Sequence, residues 1–87
     1  MIGYCEICEK PGVVETHHVW GGGLRPKAER YGAKARLCVK CHREGKTAVH
    51  KSAEKSQQLK AQHQARIMKE QGWDTTRFIW EFGRNYI

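Results

Sequence analysis

Leu37-Cys38-Val39-Lys40-Cys41-His42 repeats the cysteine spacing of Tyr4-Cys5-Glu6-Ile7-Cys8, and Glu15-Thr16-His17-His18 lies between the two. Two Cys-x-x-Cys pairs separated by a long insert are the pattern of a four-thiolate zinc site, in which each pair grips the ion across a tight turn. A disulfide framework is the rival reading of the same four cysteines. Disulfides need an oxidising compartment. The opening Met1-Ile2-Gly3-Tyr4-Cys5-Glu6 carries no basic start, apolar stretch or small-residue cleavage site, so an intracellular, cytoplasmic setting is expected instead. Zinc on Cys5, Cys8, Cys38 and Cys41 is therefore the expected staple.

A chain of 87 residues has room for a single domain, 1–87. A domain of that size buries too little of its surface to be secure on hydrophobic burial alone, which is the physical reason to expect a staple. No apolar run approaches the length of a membrane span, so no membrane role is expected. Sixteen Lys+Arg against 9 Asp+Glu give a formal charge of +7, which favours a polyanion as partner. Charge alone leaves a basic but inert surface open as well.

The fold class expected is small α+β. Residues 4–12 read as a zinc knuckle closed by Pro11 and Gly12. Residues 13–20, Val-Val-Glu-Thr-His-His-Val-Trp, are rich in β-branched and aromatic side chains and predict a strand that Gly21-Gly22-Gly23 ends. Residues 24–34 form a basic loop with one helical turn near 27–31, and a short strand at 35–37 delivers the second cysteine pair and His42. A short helix from Val39 should stop at Gly45, since glycine is favoured just past a helix end. A long helix is expected at 52–71, capped by Ser52 and stopped by Gly72, and a short packing helix follows Asp74 or Thr75 and stops at Gly83. His63, among glutamines, should be solvated, and Trp20, Trp73 and Trp80 should be core or cover residues.

Successive strand residues point to opposite faces, so His17 and His18 are suited to different tasks. One can bind a metal while the other faces water. His42 follows Cys41 directly, so a zinc staple fixes it in space and brings three histidines toward one rigid frame.

Taken together, Cys5-x-x-Cys8, His17-His18-Val19 and Leu37-Cys38-x-x-Cys41-His42 resemble the HNH endonuclease family in its zinc-supported form. The resemblance covers residues 4–50 and leaves 51–87 as a helical extension. It implies a ββα-metal core in which two strands and a helix grip one divalent metal such as Mg²⁺, Mn²⁺, Ni²⁺ or Zn²⁺, in an enzyme that cuts DNA to leave 5′-phosphate and 3′-hydroxyl ends. By the same resemblance His17 and His42 correspond to metal ligands, His18 to the general base, and Glu15 to an acidic residue that orients the pair. The chemistry agrees with that assignment. A phosphodiester repels hydroxide, so a metal must neutralise charge on the phosphate while a base generates the nucleophile, and imidazole titrates close to neutrality.

The chain departs from the family at two places. The middle asparagine of the motif would stand about five residues before Cys38, where Ala33 and Lys34 are found. A histidine one helical turn beyond His42 would complete the ligands, and Lys46 occupies that position. His50 substitutes only if Gly45 breaks the helix and the chain turns back. Otherwise water or substrate fills the place.

Arg25, Lys27, Arg30 and Lys34 lie between the His-His strand and the second cysteine pair, where a DNA backbone would pass. No base-reading helix is evident, so backbone and shape contacts should dominate. The run from His17 to Gly22, with Ala28-Glu29-Arg30-Tyr31-Gly32 and the ending Phe82-Gly83-Arg84-Asn85-Tyr86, is similar to small phage and prophage proteins, some of them recombination-associated nucleases. That similarity implies a bacterial or phage source and a recombination or phage-assembly partner. The sequence thus supports a metal-dependent endonuclease or nickase, with a non-catalytic zinc-stapled DNA-binding or assembly module as the alternative, and a purely structural interaction protein as a weaker third.

Overall fold

Val13, expected at the start of a strand that runs to Trp20, ends a different one. In the computed structural model, which describes Met1–Ile87, strands β1 (Ile2–Tyr4) and β2 (Pro11–Val13) form an antiparallel hairpin with Ile2 opposite Val13 and Tyr4 opposite Pro11. The sequence hides this pair. Pro11 and Gly12 read as turn residues, but Pro11 is tolerated on a strand at a sheet edge, where no ladder donor is needed. The knuckle occupies the hairpin's loop, closed by Cys5 N–H to the Lys10 carbonyl (3.1 Å) and Glu9 N–H to the Cys5 carbonyl (2.8 Å).

The expected strand is therefore shorter, β3 (Glu15–His18), and pairs antiparallel with β4 (Lys34–Leu37). In that register Glu15 faces Leu37, His17 faces Ala35 and His18 faces Lys34. Alternation on β4 buries Ala35 and Leu37 and exposes Lys34 and Arg36, as a half-buried strand should. The hairpins are joined by Glu6 N–H to the Arg36 carbonyl (2.9 Å) and by Arg36 N–H to Glu6 Oε2 (2.6 Å). Between β3 and β4 the chain makes a 3₁₀ turn (Gly22–Leu24) and helix α1 (Arg25–Arg30), which extends earlier than the turn expected at 27–31.

The helix expected from Val39 is a single π-helical turn, Lys40–Glu44. Gly45 ends it in an extended conformation, and a Cβ there would stand 2.7 Å from the Lys40 carbonyl oxygen, so no larger residue fits without movement. Beyond it the chain doubles back, with Val49 N–H on the Cys41 carbonyl (2.8 Å) and His50 N–H on the His42 carbonyl (3.2 Å).

Helix α2 (Ala53–Gln71) begins at Ser52, whose hydroxyl accepts from Lys55 N–H, and ends at Gly72 with φ of 69°. Helix α3 (Thr75–Phe82) is capped by Asp74. Its Phe78 and Phe82 stack on each other and enclose Trp20 at ring separations of 5.9 and 4.7 Å. The same buried cluster includes Cys5, Ala35, Leu37, Val49, Leu59 and Ile67, so the C-terminal helices and the cysteine-bearing half share one core. Burying each large side chain of that set contributes about 1.5–3 kcal/mol. The result is a small α+β architecture, and no helix is long and apolar enough to cross a membrane.

Two expectations about side chains are overturned. His63 is buried, not solvated, because its side of α2 faces the hairpin loop, with Nε2 4.0 Å from Glu6, while Arg66 one turn along the same helix lies 3.2 Å from its Nδ1. Trp80 is neither core nor cover. It is 82% exposed on the face of α3 opposite Phe78 and Phe82. Only the first of these two positions was disguised by polar neighbours in the sequence.

Candidate metal centre

The hairpin loop carries Cys5 and Cys8, and the end of β4 with the π-helical turn carries Cys38 and Cys41. All four sulfurs lie within 4.8 Å of one another, and none is in a disulfide. Sγ of Cys8 is 3.8 Å from Sγ of Cys38. A tetrahedral zinc–thiolate centre with bonds of about 2.3 Å has edges of roughly 3.8 Å, so the spacing fits the ion. Electrostatics agree. Burial and hydrogen bonds from its neighbours push the Cys41 thiol up, while at Cys5 backbone N–H groups outweigh burial and pull the thiol down. Crowded sulfurs that resist sharing negative charge are the environment a divalent cation relieves.

A second cluster is built on the same scaffold. β3 supplies His17, the π-helical turn supplies His42, and the segment that doubles back after Gly45 supplies His50. Ring nitrogens of the three lie within 4.8 Å of one another, and Nε2 of His50 is 2.9 Å from Nε2 of His42. The rings meet edge to face or tilted, with centroids 4.6–5.2 Å apart. Two imidazole nitrogens bound to one tetrahedral ion at about 2.0–2.1 Å sit roughly 3.4 Å apart, so a small adjustment would let this trio hold a divalent metal.

Glu15 sets the trio's orientation. Its Oε1 accepts from Nδ1 of His42 at 2.9 Å, and Arg43 donates to both of its oxygens at 3.1 and 3.0 Å. These bonds, Arg43 first and His42 second, hold the Glu15 carboxyl at about 2. An ionised carboxylate only accepts, so Nδ1 of His42 carries the proton and Nε2 presents its lone pair to the cluster. His17 is buried, and burial together with the neighbouring histidines and Lys60 lowers it to about 4, which keeps it neutral near pH 7. A neutral imidazole is the form that ligates.

The three histidines open into a cleft of about 310 Å³ lined also by Thr16, His18, Gly21, Gly22 and Arg25, with no hydrophobic side chain. His18 belongs to the cleft but not to the trio. Its Nε2 meets Oε1 of Glu29 on α1. Glu29 has no role legible in the sequence, because only the fold of the loop brings it onto the strand. The alternation of faces along β3 was the available signal: it separates His18 from His17, and α1 packs on the side His18 takes.

The basic residues expected to meet DNA divide. Arg25 lines the cleft. Lys27 donates to the Glu81 carbonyl and pairs with the Glu81 carboxylate, which ties α1 to α3. Arg30 lies over the Tyr31 ring, 5.6 Å from its centroid. Lys34 pairs with Glu29 at 3.1 Å. At the place of the expected asparagine, Ala33 is buried, its N–H bonded to the Ala28 carbonyl (2.7 Å) and its carbonyl to Val19 N–H (2.9 Å). Arg66 of α2 donates to the carbonyls of Tyr31 and Gly32 and so braces the loop from outside.

Compared with family models, with curated proteins and with solved structures, the chain gives no significant match.

Proposed function

We propose that the chain is a metal-dependent DNA endonuclease of the HNH, ββα-metal type. One observation carries the reading: His17, His42 and His50 converge in a polar cleft that also holds His18 and Arg25. Paired strands followed by a helical turn that presents His42 support the ββα-metal comparison, with that helix reduced to one turn.

A divalent metal held by His17, His42 and His50 would neutralise a non-bridging phosphate oxygen and stabilise the leaving alkoxide. The chain's own groups do the rest. Arg25 offers a cation to the phosphate entering the cleft. Glu15 keeps Nε2 of His42 turned inward. With its Nε2 engaged by Glu29, His18 has Nδ1 left for a water molecule. Nδ1 takes a proton from that water as the oxygen bonds to phosphorus. The bond from phosphorus to the 3′ oxygen breaks, and that oxygen takes its proton from solvent. General base catalysis of this kind contributes about 10²- to 10⁴-fold.

Supercoiled plasmid tests the proposal. The zinc-loaded protein is incubated with it in Mg²⁺, Mn²⁺, Ni²⁺, Zn²⁺ or EDTA, and nicked product that requires added metal is the expected result. A folded protein that leaves the plasmid intact with every metal overturns it, and a non-catalytic DNA-binding or assembly module on the same frame becomes the better reading.

A further inference from the structure

The contact between His18 and Glu29 has the geometry of a held base. Nε2 of His18 lies 2.5 Å from Oε1 of Glu29, while Oε2 of the same carboxylate receives Nζ of Lys34 at 3.1 Å. Lys34 is the β4 residue directly opposite His18 in the strand register, so both ends of the contact are anchored to one strand pair. α1, which carries Glu29, is fixed in turn by fully buried Ala28, by the Ala33 N–H to Ala28 carbonyl bond and by Lys27 on α3. His18 makes no other side-chain hydrogen bond within the protein.

Hydrogen bonds from His18 and Lys34 hold the Glu29 carboxyl below the usual carboxylate range, so it is ionised when imidazole is neutral. An ionised carboxylate has only lone pairs to offer. The proton of a neutral His18 must then sit on Nε2, which leaves the lone pair on Nδ1. A free imidazole exchanges between two tautomers, and only one of them turns a basic nitrogen to a given water molecule.

We propose that Glu29 is the positioning residue of His18: it locks the ring as the Nε2–H tautomer and thereby makes Nδ1 the nitrogen that receives the proton from water. This rests on the nuclease reading for its catalytic consequence, but the tautomer itself does not. Glu29 is half exposed, so its replacement should leave the fold intact.

Two-bond ¹H–¹⁵N correlation spectra of the zinc-loaded protein, recorded where His18 is neutral, report the tautomer without any need for activity. Wild type should show Nε2–H, Glu29→Ala a mixture, and Glu29→Gln, whose single amide oxygen is taken by Lys34 and whose N–H₂ then faces His18, a shift toward Nδ1–H. On plasmid, Glu29→Ala should lower kcat on the order of 10- to 100-fold with KM unchanged, the range found for groups that orient a ligand or base from behind. Glu29→Gln should lose at least as much as Glu29→Ala. A wild-type His18 in the Nδ1–H form, a tautomer indifferent to Glu29→Ala, or a loss that appears in KM alone would each overturn the proposal. If the wild type cuts no DNA with any metal, the nuclease reading fails, and the spectra still decide whether Glu29 sets His18.

Discussion

Glu15 reaches from β3 to two consecutive residues of the π-helical turn, and the contact decides which nitrogen of His42 faces the cleft. Replacing it with alanine frees that ring to rotate and to change tautomer. Outer-shell partners of metal-bound histidines are worth about 10- to 100-fold in affinity. Glu15→Ala should therefore weaken binding of a second divalent ion by that factor while leaving the four-cysteine zinc in place, measured by calorimetric titration of Ni²⁺ or Zn²⁺ into the zinc-loaded protein. At this scale the sequence was informative where residues neighbour a cysteine pair or each other. His17, His18 and His42 stood out because strand alternation and the Cys41-His42 adjacency place them without knowledge of the fold. Glu29 and His63 did not, since each gains its partner only when α1 or α2 packs onto the hairpins.

Gly45 is the element-scale counterpart, one residue on which the path to His50 depends. Its missing side chain lets the π-helical turn end beneath the Lys40 carbonyl, and the doubled-back segment then places the His50 ring beside those of His17 and His42. Gly45→Ala forces a Cβ into that carbonyl and should cost about 1–3 kcal/mol, typical of overpacking. Denaturant unfolding would check the cost. A second-site metal affinity that falls with it would show that the turn, and not stability alone, sets the trio.

The helices were legible because their ends carry local signals: Ser52 and Asp74 as caps, Gly72 and Gly83 in left-handed conformations as stops. The hairpin of β1 and β2 was not, because Ile2, Tyr4 and Val13 stay exposed and so leave no buried periodicity to read. β3 is shorter than its side-chain composition suggests for a related reason. Val13, Val19 and Trp20 have strand-like side chains, but Val13 pairs with Ile2, while Val19 and Trp20 leave the ladder for the core.

For the molecule as a whole, 17 of 87 residues are buried, a small core that a zinc ion on the four cysteines would reinforce by tying the hairpins to the π-helical turn. Stripping zinc with a strong chelator should unfold at least the hairpin half, seen as collapse of amide dispersion for residues 1–50 in NMR spectra, and restored zinc should recover it. Retention of those signals without metal would mean that the thiols are dispensable.

In the proposed division of labour, His17, His42 and His50 hold a metal while His18 does the proton transfer. The most direct measurement is metal stoichiometry and plasmid nicking on the same preparations of wild type and His18→Ala. The expected variant binds two metals per chain like the wild type yet nicks about 10²- to 10⁴-fold more slowly. A His18→Ala protein that nicks at the wild-type rate, or that loses the second metal along with its activity, would contradict that division.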